Sequence, residues 1–218
     1  MSALDRYLVR EFEPERDLEG AYKAFVDGFH HILWPIIDHA DKSMVEDLIL
    51  TAHKMGVTTY VAEADDEARG FLVGALPFET RDTIRQVRLL NSYLWRWFLG
   101  SCRGKATPFA RAHVKRLLIG YSPFVYRHPM RPSTETLILT SQKDYRGGIG
   151  RVMMDAWVDQ SRSLGYNKTT VCTDTKLSWD FYERYGFSKA VSFNLTAYHY
   201  SLPDDKVTAF IYALGIQG

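Results

Sequence analysis

The sequence predicts an α/β fold, and three observations carry the prediction. The β-branched, apolar run Thr136 to Thr140 leads through the stretch Tyr145-Arg146-Gly147-Gly148-Ile149-Gly150-Arg151 into a segment where Ile149, Val152, Met153, Ala156 and Trp157 recur at helical spacing. A second strand pattern, Thr169 to Asp174, is followed by a helical aromatic segment, Ser178 to Phe187. Upstream of both, strand and helix patterns succeed one another over the first 77 residues.

Taken in order, Tyr7 to Phe12 alternates apolar and charged residues and suits an opening strand, after which Leu18, Ala21, Tyr22, Phe25, Val26 and Phe29 mark a helix. Ser43 and Glu46 have the spacing of a capping box ahead of Met44, Val45, Leu48, Ile49, Ala52 and Met55, and Gly56 supplies a stop. Thr58 to Glu63 and Gly70 to Pro77 read as two strands around the polar turn Asp65-Asp66-Glu67. An insertion follows at about 80–131. Ile84, Val87, Asn91, Leu94, Trp95 and Phe98 line one side of a helix ending at Gly100, and Pro108 begins a second helix running to Gly120. Residues 121–132, with three prolines, read as an irregular loop. After the aromatic helix, Val191 to Tyr200 and Val207 to Leu214 are β-branched and aromatic and pair as closing antiparallel strands.

At 218 residues the chain suits one domain, 1–218, carrying an insertion. Cys102 and Cys172 lie far apart with no metal-ligand spacing, which fits a reduced, cytoplasmic protein without a disulfide frame or metal. The first 12 residues have no apolar core of signal-peptide length, and no run approaches the roughly 18 residues that cross a bilayer. The net charge of +1 conceals a division: residues 80–131 hold 11 bases and the single acid Asp82, whereas the rest holds 16 bases and 25 acids.

The glycine stretch has a direct chemical reading. Glycines let the backbone approach a ligand closely, and the free amides and dipole of a helix start attract an anion such as pyrophosphate. Here, with Gly148 and Gly150 in the loop and Tyr182, Gly186 and Phe187 in the later segment, the chain resembles the GNAT superfamily of acyl-CoA-dependent N-acetyltransferases over residues 134–190. That resemblance implies a mixed, mostly antiparallel sheet flanked by helices. It also implies acetyl-CoA as acyl donor, held by the loop residues Tyr145, Arg146, Gly147, Gly148, Ile149, Gly150 and Arg151. Two departures from the family pattern stand out. Tyr145 takes the usual Gln/Arg position, with Arg146 one place late, and Thr175 and Ser178 replace the usual Asn and Ala.

Acyl transfer from a thioester to an amine requires a positioned donor, a stabilised oxyanion and a route for protons. The resemblance places the pantetheine-binding bulge and its oxyanion amide at Leu139, Thr140 and Ser141. It makes Tyr182 the partner of the leaving thiolate, with Tyr185 as a nearby competitor. A phenol of pKa about 10 is a weaker acid than a thiol of about 8.5, so outright proton transfer runs uphill by roughly 2 kcal/mol and a hydrogen bond can do much of the task. An amine of pKa about 10.4 is mostly protonated at pH 7 and calls for a base. The resemblance makes Glu135, at the start of the strand before the loop, the first candidate, because histone-type members of the family place a carboxylate at a similar distance upstream; His30, His31 and Asp174 are the others.

The expected partners are therefore acetyl-CoA and an amine acceptor, through a ternary complex, with a homodimer left open. A coenzyme-A-binding module with little turnover is the competing class. The basic insertion has several readings: steering of coenzyme A, attraction of an anionic acceptor, a nucleic-acid or ribosome-facing patch, a membrane-surface helix, or aromatics simply packed on the acidic core. Its place before the glycine-loop strand suggests that it lies over the acceptor side.

Overall fold

The computed structural model describes residues 6–77, 83–116, 132–194 and 207–216. Strand β1 (Leu8–Glu11) leads into helices α1 (Pro14–Ile37) and α2 (Lys42–Met55), then β2 (Thr58–Ala64) and β3 (Glu67–Ala75). Helix α3 (Thr83–Cys102) and helical residues 108–116, here α4, belong to the insertion. Then come β4 (Thr134–Ser141), a 3-10 turn (Lys143–Tyr145), α5 (Ile149–Ser163), β5 (Lys168–Asp174), α6 (Trp179–Tyr185), β6 (Ser188–Asn194) and β7 (Thr208–Gly215).

The seven strands form one sheet in the order β1-β2-β3-β4-β5-β7-β6. Every pairing is antiparallel except β4 with β5. The sheet separates two apolar clusters. On one face Phe25, Ile32 and Ile36 of α1, Val45 and Ile49 of α2, and Tyr93 and Trp97 of α3 pack against Val61, Phe71 and Val73. On the other, Ile149, Met153 and Trp157 of α5 and Tyr182 of α6 pack against Ala62, Leu72 and Tyr212. The β2–β3 hairpin closes on Asp65 and Asp66 at φ 53° and 60°, the pair of left-handed residues that a two-residue turn matching the strand twist requires.

At the open end of the sheet, Asp17 is buried beneath Arg10, whose two terminal nitrogens each donate to it at 2.7 Å. Burial raises the Asp17 carboxyl pKa, but the Arg10 hydrogen bonds and the Glu13 amide outweigh it and leave the group below the ordinary carboxylate range.

Several boundaries differ from the sequence reading. Helix α1 continues beyond Phe29 and carries Pro35 in its last turns, so His30 and His31 lie within the helix. The capping box is not formed: Asp41 is the N-cap residue of α2, without a side-chain cap bond, and Ser43 lies inside the first turn. Gly56 does end α2, but in an extended conformation at φ −73°. Helix α3 runs through Gly100 to Cys102, and Gly100 is buried against Met44, where a Cβ would meet the sulfur at 2.7 Å.

The apolar side of α3 that the sequence reading picked out is largely turned outward. Ile84, Val87, Trp95 and Phe98 are exposed and Leu94 half-buried, while Tyr93 and Trp97 form the buried face. Arg96 joins α3 to α2, donating to Asp47 at 2.7 Å and to Thr51 at 3.0 Å. Residues 117–120, the expected loop at 121–131 and the strand extension at 195–200 lie outside the described residues.

Candidate functional site

The parallel pairing of β4 with β5 lasts three residues, from Thr134↔Thr169 to Thr136↔Val171. Beyond it the strands part. On its other side β4 stays paired with β3, and the register slips between Val73↔Ile138 and Gly74↔Thr136, which leaves Leu137 as a bulged extra residue. A bulge bends its strand and ends local pairing, so a wedge opens between β4 and β5 with the backbone of residues 137–141 along one wall. The bulge thus lies two residues upstream of Leu139, Thr140 and Ser141, where the sequence reading put it.

The wedge is a cleft of about 990 Å³ among the described residues. Thr136 to Ser141 form one wall, Val171 to Thr173 and α6 the other, and the Asp27–His31 turn of α1 covers the top. Gly148, Ile149, Gly150 and Arg151 close the end. Gly148 is the N-cap residue of α5 at φ 90°, a left-handed conformation open to glycine at little cost. Its carbonyl accepts the amides of Arg151 at 3.0 Å and Val152 at 3.2 Å. The amides of Ile149 and Gly150 belong to the set that a helix start offers outward, together with the positive end of the helix dipole. Gly150 faces α6, and a Cβ there would stand 3.4 Å from the Phe181 ring, at ordinary van der Waals contact.

Charge around the cleft favours an anion. Lys143, Arg146, Arg151, Lys176 and Arg184 line it, against the carboxylates Asp27 and Asp180. Asp27 accepts the Lys143 amide at 3.0 Å, and Asp180 is paired with Arg184. These cations come from the glycine loop, the β5–α6 turn and α6, whereas no residue of α3 or α4 among the described residues lines the cleft. The described part of the insertion packs outside α2, not over this site. Sequence reasoning missed Lys143, Lys176 and Arg184, which share no motif and meet only in the folded chain.

The predicted residues divide into two groups. Tyr182, Leu139, Thr140, Ser141, Arg146, Gly148, Ile149, Gly150, Arg151 and Ser178 are brought together around the cleft. Tyr145, Gly147, Thr175 and Glu135 are not among its lining residues. Tyr145 turns toward the β2–β3 hairpin, donating to Asp65 at 2.9 Å beneath the Arg69 guanidinium. That hydrogen bond is the leading cause that raises its phenol pKa. The Thr175 hydroxyl accepts the Thr208 amide at 3.3 Å. Glu135 is buried on β4 between Ala75 and Thr170, one residue before cleft-lining Thr136. Thr140 gives its hydroxyl to the Ala24 carbonyl at 2.8 Å, so its backbone, not its side chain, is left for a ligand.

At the depth of the wedge Tyr182 is buried among Phe181, Phe187 and Tyr212. Burial first, and Cys172 second, raises its phenol pKa. Cys172 also lines the cleft, and burial, followed by the charges of Asp174 and Glu135, pushes its thiol up to about 12. The competing Tyr185 donates to Asp155 at 2.5 Å. His31 is bonded through Nε2 to the Lys176 carbonyl at 2.5 Å, and His30 pairs with Asp38 at 2.8 Å.

Solved structures share this overall fold. Ard1 from Thermoplasma volcanium superposes with a TM-score of 0.56 at 16% identity, covering 98% of this chain and 99% of that one. The fold is that of the GNAT acetyltransferases. Ribosomal-protein-alanine N-acetyltransferase from Brucella melitensis gives 0.57 at 13% identity over 95% and 99% of the two chains. A GNAT family acetyltransferase from Elizabethkingia anophelis, solved with acetyl-CoA bound, gives 0.55 at 12% over 97% and 99%. No protein-family model and no curated protein matches the sequence.

The cleft residues fit acetyl-CoA. The outward amides and five lining cations suit phosphates, and the unpaired β4 edge suits an amide-bearing arm. The buried Thr136 hydroxyl has no hydrogen-bond partner among the described residues and lies where the wedge begins. Among the described residues no group of side chains has the makings of a metal site.

Proposed function

We propose that the protein is an N-acetyltransferase that takes acetyl from acetyl-CoA and delivers it to a primary amine by direct attack. The parting of β4 from β5 at Thr136 carries this reading, because it frees a run of backbone donors and acceptors that a pantetheine arm can pair with in place of the ladder. When bound, acetyl-CoA supplies an activated acetyl thioester.

The residues of this chain do the rest. The amides at the start of α5, with Arg146, Arg151 and Lys143, hold the diphosphate. The backbone from Leu137 to Ser141 aligns the arm and offers an amide to the developing oxyanion. Tyr182 keeps its proton throughout the working pH range, since its phenol pKa is raised, and donates a hydrogen bond to the departing sulfur instead of surrendering the proton. Glu135 accepts the amine proton through water, as it is set one residue behind the cleft wall. The high pKa of the Cys172 thiol supports attack by the amine itself over a cysteine-borne acyl group.

The acceptor is a small or anionic amine in this reading, drawn by the basic rim of the cleft. A protein or ribosome-associated amine is the second candidate, supported by the structural likeness to ribosomal-protein-alanine N-acetyltransferase. Titrating the protein with acetyl-CoA in a calorimeter, then following coenzyme A release with a panel of small amines and peptide N-termini, tests the proposal. Heat on binding and release with at least one amine class are expected. Binding without release for every class would leave a coenzyme-A-binding module, and no binding would end the assignment.

A further inference from the structure

Helix α3 presents an apolar stripe to solvent. Ile84 is 65% exposed, Val87 52%, Trp95 60% and Phe98 42%. At helical spacing these four, with Asn91 between them, fall on one narrow strip opposite the buried Tyr93 and Trp97. Trp95 and Phe98 stack on each other at 5.3 Å, and Arg111 of α4 sits over the Phe98 ring at 5.5 Å. Along one flank of the strip runs a shallow groove lined by Arg85, Arg88, Leu89 and Ser92. From residue 83 to residue 116 there are eight Lys or Arg residues and no acid.

We infer that α3 docks this protein onto an anionic phospholipid surface, with Ile84, Val87, Trp95 and Phe98 entering the interface and the Arg85–Arg88 groove taking a headgroup phosphate. The two halves of the surface answer the two halves of a lipid. An apolar stripe bordered by arginines is what an in-plane interfacial helix needs, and tryptophan is at home at the boundary between headgroup and acyl chain. No helix among the described residues is long and apolar enough to cross a membrane, so α3 lies on the surface. A nucleic acid would use the charge and stack on the rings, but it has no use for exposed isoleucine and valine. A second copy of the chain would set the arginines bordering the strip, Arg85, Arg88 and Arg111, against like charges. The inference is independent of acetyl transfer, because no α3 residue lines the cleft among the described residues.

Flotation of the full chain with phosphatidylcholine vesicles, with and without phosphatidylserine, tests it. The partition coefficient is expected to be at least about tenfold higher on the anionic vesicles and to fall with added salt. A Trp95→Ser/Phe98→Ser variant and an Arg85→Glu/Arg88→Glu variant should each lose about tenfold or more on those vesicles. Both replace exposed side chains, so circular dichroism and acetyl-CoA calorimetry should match the parent. Equal partition on the two vesicle types, or undiminished binding by both variants, overturns the inference. So does salt-sensitive binding of single-stranded RNA without vesicle binding, or a Trp95-dependent dimer in sedimentation without vesicle binding.

Discussion

Replacing Cys172 with alanine separates direct transfer from a covalent route. The thiol lines the cleft, and burial, Asp174 and Glu135 hold its pKa near 12. At pH 7 the thiolate fraction is then on the order of 10⁻⁵, against a few per cent for a free cysteine of pKa about 8.5, so a cysteine-borne acetyl group would start at least about a thousandfold behind. Cys172→Ala should therefore keep kcat/KM within about threefold and cost about 1 kcal/mol of stability for the vacated volume. Coenzyme A release should be followed chromatographically, because the exposed Cys102 would react with a thiol reagent. Initial rates with both substrates varied should give intersecting lines. Parallel lines, one acetyl mass on Cys172 after incubation with acetyl-CoA alone, or a hundredfold loss in the variant would refute the reasoning.

Three further outcomes are expected. Tyr182→Phe should lower kcat by between a few-fold and about 10²-fold with little change in acceptor KM, and no fall in rate on the alkaline side should be traceable to the phenol; a variant as fast as the parent removes Tyr182 from the chemistry. Gly148→Ala places a Cβ at φ 90°, costs about 1–2 kcal/mol and should weaken acetyl-CoA binding about tenfold by turning the loop amides, so calorimetry showing parental affinity would count against the loop. His113 is fully buried, and burial first, then the Arg116 charge, lowers its pKa to about 4. Native His113 then stays neutral down to about pH 4 while the unfolded chain takes up its proton below about 6.5, so its contribution is complete above about 6.5 and declines through that window by up to about 3 kcal/mol. Melting temperatures of the parent and His113→Leu across pH 4–7.5 should show the flatter slope in the variant, and parallel slopes would exclude the assignment.

The order of elements and the glycine turn were legible because each rests on a local rule. Gly148 must adopt a backbone few other residues tolerate, and the spacing from Ile149 to Trp157 admits only a helix. Local rules also misled. Ser43 and Glu46 satisfy the capping pattern, yet the Asp41 amide is tied to the Lys105 carbonyl at 2.7 Å, and this tertiary bond accompanies a helix that begins two residues earlier. Helix α3 carries two apolar stripes, and periodicity cannot say which is buried. The face of Tyr93 and Trp97 goes inward, where Arg96 on the same helix reaches Asp47 and Thr51. The split at Thr136 has no local sequence signal, and the resemblance put the bulge two residues too late, since the split depends on where two distant strands stop pairing. For the same reason the cations at 143, 176 and 184 looked unrelated until the strands set them side by side.

The clasp on Tyr145 has a consequence for how a ligand is received. Its ring lies within 5.2 Å of the Arg6 and 4.5 Å of the Arg69 guanidinium, its hydroxyl is held by Asp65 and its carbonyl by Tyr7. A loop moored at its entrance arrives already folded into shape, so capture of a diphosphate freezes few additional rotations and more of the contact enthalpy survives as affinity. If the loop binds a diphosphate as proposed, its grip depends on a hairpin tip, Asp65, that does not line the cleft, and loosening Asp65 would shorten residence time while leaving the cleft residues in place.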